Sequence, residues 1–163
     1  MHINSKFHSL HVHSNSMDEG IVVQGVEITI TGMEILHTNE IVSNTSLNEL
    51  LNEYYSSSSE NFIILLIKAE INNTNESRTS FDLTTLHLES GAYSSQAFYP
   101  LMQYYNKTGM TLELNGLEKK NTTLAFPIHK VSFRENDWAN IENREFELVV
   151  SLFPQKEIIP LRF

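Results

Sequence analysis

Apolar residues recur at every second position in several separate stretches of this chain, and that period of two limits the fold more than any other feature. Val26, Ile28 and Ile30 alternate with Glu27, Thr29 and Thr31. Met110, Leu112 and Leu114 alternate with Thr111 and Glu113, and Leu124, Phe126 and Ile128, then Phe146, Leu148 and Val150, also recur at every second position, with Val149 on the opposite face of the last. Successive side chains of a strand point to opposite faces, so each stretch predicts a strand with one buried face. Gly32 interrupts the first, with Met33 and Ile35 carrying the apolar positions onward, which predicts a bulge or bend. Phe62 to Ile67 is a continuous apolar run and predicts a central strand buried on both faces where it begins.

Turn residues separate these stretches. Asn72-Asn73-Thr74-Asn75 and Asn115-Gly116 are the clearest. Phe81 to Leu88 is expected to pair back after the first of them. The aromatic segment Tyr93 to Tyr105 is broken by Pro100, which suits an edge or a bend. Ile158, Ile159, Leu161 and Phe163 close the chain. About eight strands at this spacing predict an all-β antiparallel sandwich. The period changes once. Leu47, Leu50, Leu51 and Tyr54 fall at helical spacing, and Ser46 with Glu49 has the form of a capping box. One short helix is expected over residues 47–55, ending at the serine run 56–59.

A chain of 163 residues fits one domain. Residues 1–19, rich in His, Ser and Asn, read as a flexible arm, and 20–163 as the sandwich. The net charge of −9 repels phosphate backbones and anionic lipid, so nucleic acid and anionic membrane surfaces are poor partners. The absence of cysteine excludes disulfides, zinc–thiolate sites and cysteine nucleophiles. No apolar run reaches membrane-spanning length, and Met1 is followed by neither a basic start nor an apolar signal core. Five Asn-x-Ser/Thr sequons, at Asn44, Asn72, Asn75, Asn106 and Asn121, fit chance occurrence in a chain rich in Asn, Ser and Thr.

Several of these pieces together resemble a known family. They are the strand Ile63 to Ile71 running into Asn72-Asn73, Phe81-Asp82-Leu83 to Leu88, Leu112 to Glu118, Leu124 to Ile128, and Glu145 to Leu152. Their order over residues 20–163 resembles the telokin-like, immunoglobulin-like domains of unknown function in Gram-positive bacterial lipoproteins and exported proteins. The resemblance implies an immunoglobulin-like sandwich displayed outside the membrane, after a signal or anchor that precedes Met1. It supplies no catalytic residues, because that family has no established site.

The candidate residues are scattered. His2, His8, His11 and His13 have spacing that could ligate a metal, but an arm without a folded surround is a poor site, and no metal or other cofactor is expected. His37, His87 and His129 are singles, with His87 expected to face away from the buried side, and no serine lies in a nucleophile elbow. Asp18-Glu19, Glu135-Asn136-Asp137 and Glu142 lack the spacing of a calcium loop. Tyr93, Phe98, Tyr99, Tyr104 and Tyr105 could pack in the core, stack on a sugar or anchor a protein, with Tyr99, Tyr104 and Tyr105 the ligand-binding candidates. Trp138 is either a lid on the core or an exposed contact. The expectation is a non-enzymatic extracellular or cell-surface module, binding another protein or a cell-envelope component. The alternative is a carbohydrate- or small-ligand-binding module using the aromatic segment 93–105.

Overall fold

A computed structural model describes residues 20–54, 62–107, 109–151 and 156–161. The alternating stretches form strands as their period requires. β1 (Ile21–Val23) and β2 (Val26–Leu36) make a hairpin, followed by helices α1 (Thr38–Ser43) and α2 (Thr45–Tyr54). β3 (Phe62–Asn73) and β4 (Thr79–Asp82) come next, then β5 (His87–Ser90), β6 (Tyr93–Gln96) and helix α3 (Tyr99–Asn106). β7 (Thr111–Leu114), β8 (Lys119–His129), helix α4 (Glu135–Ala139), β9 (Phe146–Ser151) and β10 (Glu157–Leu161) complete the order.

The strands build two four-stranded antiparallel sheets, in the orders β1-β2-β3-β8 and β10-β9-β5-β6, and a two-stranded pair β4-β7. Their inward faces share one core, so the domain is an all-β antiparallel sandwich. The register of the first sheet lays the core out in rows. Ile28 faces Ile71, Ile67 faces Leu124, Leu65 faces Phe126 and Ile63 faces Ile128, and every one of these side chains is buried. Burying a side chain of this size contributes roughly 1.5–3 kcal/mol before the entropy of ordering is subtracted. The bulge expected at Gly32 is present, as a register shift between Ile30 and Gly32.

β3 pairs on both sides and is buried at six successive positions from Phe62 to Ile67. Its outer face at Ile64 and Leu66 belongs to the same core as Ile41, Leu47, Leu51, Leu101 and Met102 from three helices. Where that apolar cover ends, Lys68 is exposed. The helices also touch each other, with Tyr54 edge-on to Phe98 at 5.5 Å and Asn44 within 3.4 Å of the Tyr104 hydroxyl.

Four expectations are corrected. The described residues hold four α-helices rather than one short helix. α2 starts at Thr45, and its cap is Asn44, whose side chain accepts from the Leu47 amide at 3.1 Å, not Ser46. The segment around Pro100 is helical, because proline fits the first turn of a helix, where its missing N–H costs nothing, and Leu101 and Met102 are buried on one side. Phe81 to Leu88 is not one strand. Asp82 caps a 3-10 turn through its carboxylate and the Thr84 amide, so β4 pairs with β7 while β5 joins the other sheet.

One buried polar residue ties the turns at one end of the sandwich. The Asn73 side chain, with no exposure, donates to the carbonyls of Ser77 and Asn115, both at 2.8 Å, and accepts from the Asn75 amide at 3.0 Å. Next to it, Thr74 donates to the carbonyl of Gly25, where φ is +78° in the β1–β2 turn, a conformation that glycine adopts without strain.

His129 ends β8 with its ring tilted on Phe62 at 5.8 Å. Burial lowers its pKa below the ordinary histidine value. The folded state therefore holds the neutral ring at a pH where the unfolded chain already takes up a proton. Stability from this group is complete above about pH 6.5 and declines as the pH falls through that value toward the folded pKa. Urea unfolding at pH 7.5 and at pH 5.5 should show a loss of stability in the native chain that is smaller in His129→Phe, which cannot titrate.

Candidate functional site

β8 is an edge strand, and its open edge sets up the first candidate site. Among the described residues β3 is its one strand neighbour in the sheet, so every second amide and carbonyl of β8 faces outward. α3 closes most of this edge. The Ala125 carbonyl accepts from the Phe98 amide at 2.9 Å, and the Ala125 amide lies 3.3 Å from the Met102 sulfur. Asn106 imitates a paired strand residue, donating to the Thr123 carbonyl at 2.8 Å and accepting from the Thr123 amide at 2.7 Å. By the period of two, the outward groups that follow are those of Asn121 and Lys119, beyond the reach of α3. Among the described residues no strand or side chain covers them.

That uncovered edge faces an open groove of about 900 Å³. Its lining includes Tyr105 and Asn106 from α3 and Lys119, Lys120, Asn121 and Thr122 from β8. Burial, with the neighbouring Tyr104 and Glu34, pushes the Tyr105 hydroxyl up to about 12, so it stays a neutral donor. Lys119 pairs with Glu70 at 2.8 Å and Lys120 with Glu118 at 3.7 Å. Thr122 is buried, and its Oγ1 has no hydrogen-bond partner among the described residues.

The structure separates the three candidate tyrosines. Tyr105 lines the groove, while Tyr104 stands edge-on to it at 5.1 Å, with its hydroxyl near Asn44. Tyr99 is 46 % exposed on the same helix but does not line the groove. Tyr93 lies elsewhere, donating to the Pro127 carbonyl at 3.2 Å and packing on Phe133 at 4.8 Å. Trp138 lies on α4, half-buried against Phe133 at 6.1 Å, so it lids the core edge. Glu135 to Asp137 form the first turns of α4, a helix and not an ion-binding loop.

The described histidines do not converge. His37 pairs with Glu142 at 3.0 Å, and His87 faces outward on β5 beside Glu89 at 3.1 Å. Lys156 bonds the other oxygen of Glu89 and holds that carboxyl below the usual carboxylate range. Among the described residues no three His, Asp or Glu side chains gather as metal ligands, and no helix is long and apolar enough to cross a membrane. His2, His8, His11, His13, Asp18 and Glu19 lie outside the described residues.

Sequence reasoning missed the edge device, because Asn106 and Asn121 read only as chance sequons. The period-two signal through Leu124 and Phe126 located β8, but its neighbours come from pairing at long range.

The fold and this edge define a class, an antiparallel β-sandwich with one sheet edge partly closed by a helix and partly open. The chain belongs to the family described as a domain of unknown function, DUF5028, whose model matches residues 13–157. No curated protein matches the sequence. Among solved structures, a functionally unknown protein from Listeria monocytogenes EGD-e superposes with a TM-score of 0.59 at 10% identity, over 91% of this chain and 84% of that one. A conserved hypothetical protein from Bacillus anthracis gives 0.55 at 13% identity, over 88% and 94%. A provisionally assigned lipoprotein (ycdA) of Bacillus subtilis gives 0.56 at 13% identity, over 92% of this chain but 39% of that longer one. At these identities the likeness shows the fold alone.

Proposed function

We propose that the protein is a non-enzymatic module of the cell surface that holds another protein by adding one of its extended segments to the open edge of β8. The observation that carries this is the uncovered backbone at Lys119 and Asn121, facing a groove, on an edge that α3 otherwise closes. Unpaired strand edges recruit further strands, and backbone hydrogen bonds then supply affinity while flanking pockets supply selectivity. Tyr105 offers such a flank. Among the described residues the groove lining contains no histidine and no carboxylate, and so no ordinary general base, which supports a binding role. The surface location rests on likeness of fold to the Bacillus subtilis lipoprotein, and the immunoglobulin-like relationship rests on the strand order and motifs quoted above.

Peptides selected from a display library on the purified chain test the reading. Asn121→Pro removes one outward N–H and leaves the bonds to β3 in place. The selected peptides should bind the variant at least tenfold more weakly, while its unfolding midpoint stays within a few degrees of the native value. Peptides held equally by both forms would overturn the reading. Recovery of the native protein from the cytosol of its host, and not from envelope or medium, would overturn the location.

The unpartnered Thr122 hydroxyl beneath the groove favours a second reading, a small polar ligand such as a sugar. A glycan whose binding is lost in Tyr105→Ala and kept in Asn121→Pro supports it over the first.

A further inference from the structure

This acidic chain has only four arginines, Arg78, Arg134, Arg144 and Arg162. Two of them, Arg134 and Arg144, line one cavity of about 410 Å³, together with Ala92, Tyr93, Ser94, Ser132, Phe133 and Asp137. It shares no lining residue with the β8 groove.

Arg144 is built into place. Its Nε donates to Ser90 Oγ at 2.7 Å and one Nη2 hydrogen to the Ser90 carbonyl at 3.2 Å. Its guanidinium carbon lies 5.1 Å from the centre of the Phe133 ring. Ser90 is buried and donates in turn to the Glu145 carbonyl. These contacts use two of the five guanidinium N–H groups and fix the plane of the fork. The other three N–H groups have no partner among the described residues. Arg134 is exposed, and its guanidinium has neither a hydrogen bond nor an ion pair among the described residues. Asp137, on the same wall, does not pair with it.

We infer that this cavity is a binding site for a carboxylate, held by the fixed fork of Arg144 and reached by the free guanidinium of Arg134. A rigid guanidinium on an aromatic ring meets the two oxygens of a carboxylate in one plane and loses little side-chain freedom on binding. Two arginines and one aspartate give the wall a net charge of +1, which suits a monoanion better than a dianionic phosphate. Ser94 and Ser132 add hydroxyls that can bond the rest of the ligand. Two sources carry this chemistry, an acidic sugar and the C-terminus of a peptide.

Titration of the full chain, followed by calorimetry and by amide NMR, distinguishes them. The probes are glucuronate and acetylglycine, with glucose and acetylglycine amide as neutral counterparts and inorganic phosphate as the dianion. At least one carboxylate should bind saturably, at least tenfold more tightly than its neutral counterpart, and shift the amides around Ser94, Ser132 and Arg144. Tighter binding of glucuronate assigns the sugar, tighter binding of acetylglycine assigns the peptide terminus, and equal binding leaves the carboxylate as what is recognised. Arg134→Ala, which removes no hydrogen bond or ion pair among the described residues, should weaken binding at least fivefold at an unchanged unfolding midpoint. Arg144→Lys keeps the charge but not the fork and should weaken it further. No saturable binding, binding indifferent to Arg134→Ala, or phosphate held as tightly as the carboxylates would each overturn the assignment.

Discussion

Replacing Asn73 by alanine is expected to destabilise the fold by about 3 kcal/mol, because the change leaves several part-buried groups without partners at once. The side chain bonds the carbonyls of Ser77 and Asn115 and the amide of Asn75, so it closes the β3–β4 turn on itself and fastens it to the turn between β7 and β8. The backbone repeats the link, with the Asn73 amide donating to the Glu118 carbonyl at 2.9 Å. A leucine of similar size should do no better, since the lost hydrogen bonds and not the volume set the cost. Urea unfolding of the native chain and both variants measures it, and a midpoint unchanged in Asn73→Ala would refute the role given to this residue.

Gly116→Ala should cost a similar amount, about 2–3 kcal/mol, by a different mechanism, overpacking against backbone. A Cβ at position 116 would sit 1.9 Å from the Glu76 carbonyl oxygen, and no side-chain rotation can relieve that contact. The turn cannot drift away freely. The Leu117 amide donates to the Asn75 carbonyl at 2.9 Å, and the Asn115 amide to the Glu118 carboxylate at 2.7 Å. Gly116 and Asn73 therefore hold the same two turns together. Once one is changed, part of what the other protects is already lost. The double variant should lose less stability than the sum of the two single losses, which a double-mutant cycle reads directly.

Much of the β framework was legible because one-sided burial imposes a local period. Val26, Ile28 and Ile30 marked β2, Gly32 marked its bulge, and Phe62 to Ile67 marked a strand buried on both faces at its start. Asn115-Gly116 marked the turn into β8. The helices were harder to read. Leu101 and Met102 are adjacent, and adjacent apolar residues fit a helix face or a buried strand equally well, so proline and aromatic residues pointed toward an edge. The true cap of α2 was hidden as well. Asn44 and Ser46 are both good caps, and the choice fell to Asn44, where α1 ends and the next turn begins.

The candidate sites were not legible, for a related reason. Arg144 reaches Ser90 across 54 residues, and Asn106 reaches Thr123 across 17. No local pattern records such a distance. The sequence by itself determined the alternation of buried and open faces, and with it the β-sandwich, because side-chain direction in a strand depends only on position. Tertiary structure alone decided which strand edge α3 covers, which stretch it leaves open, and which two arginines share a cavity. Those follow from the order in which strands pair, and that order is set by how distant apolar faces fit together.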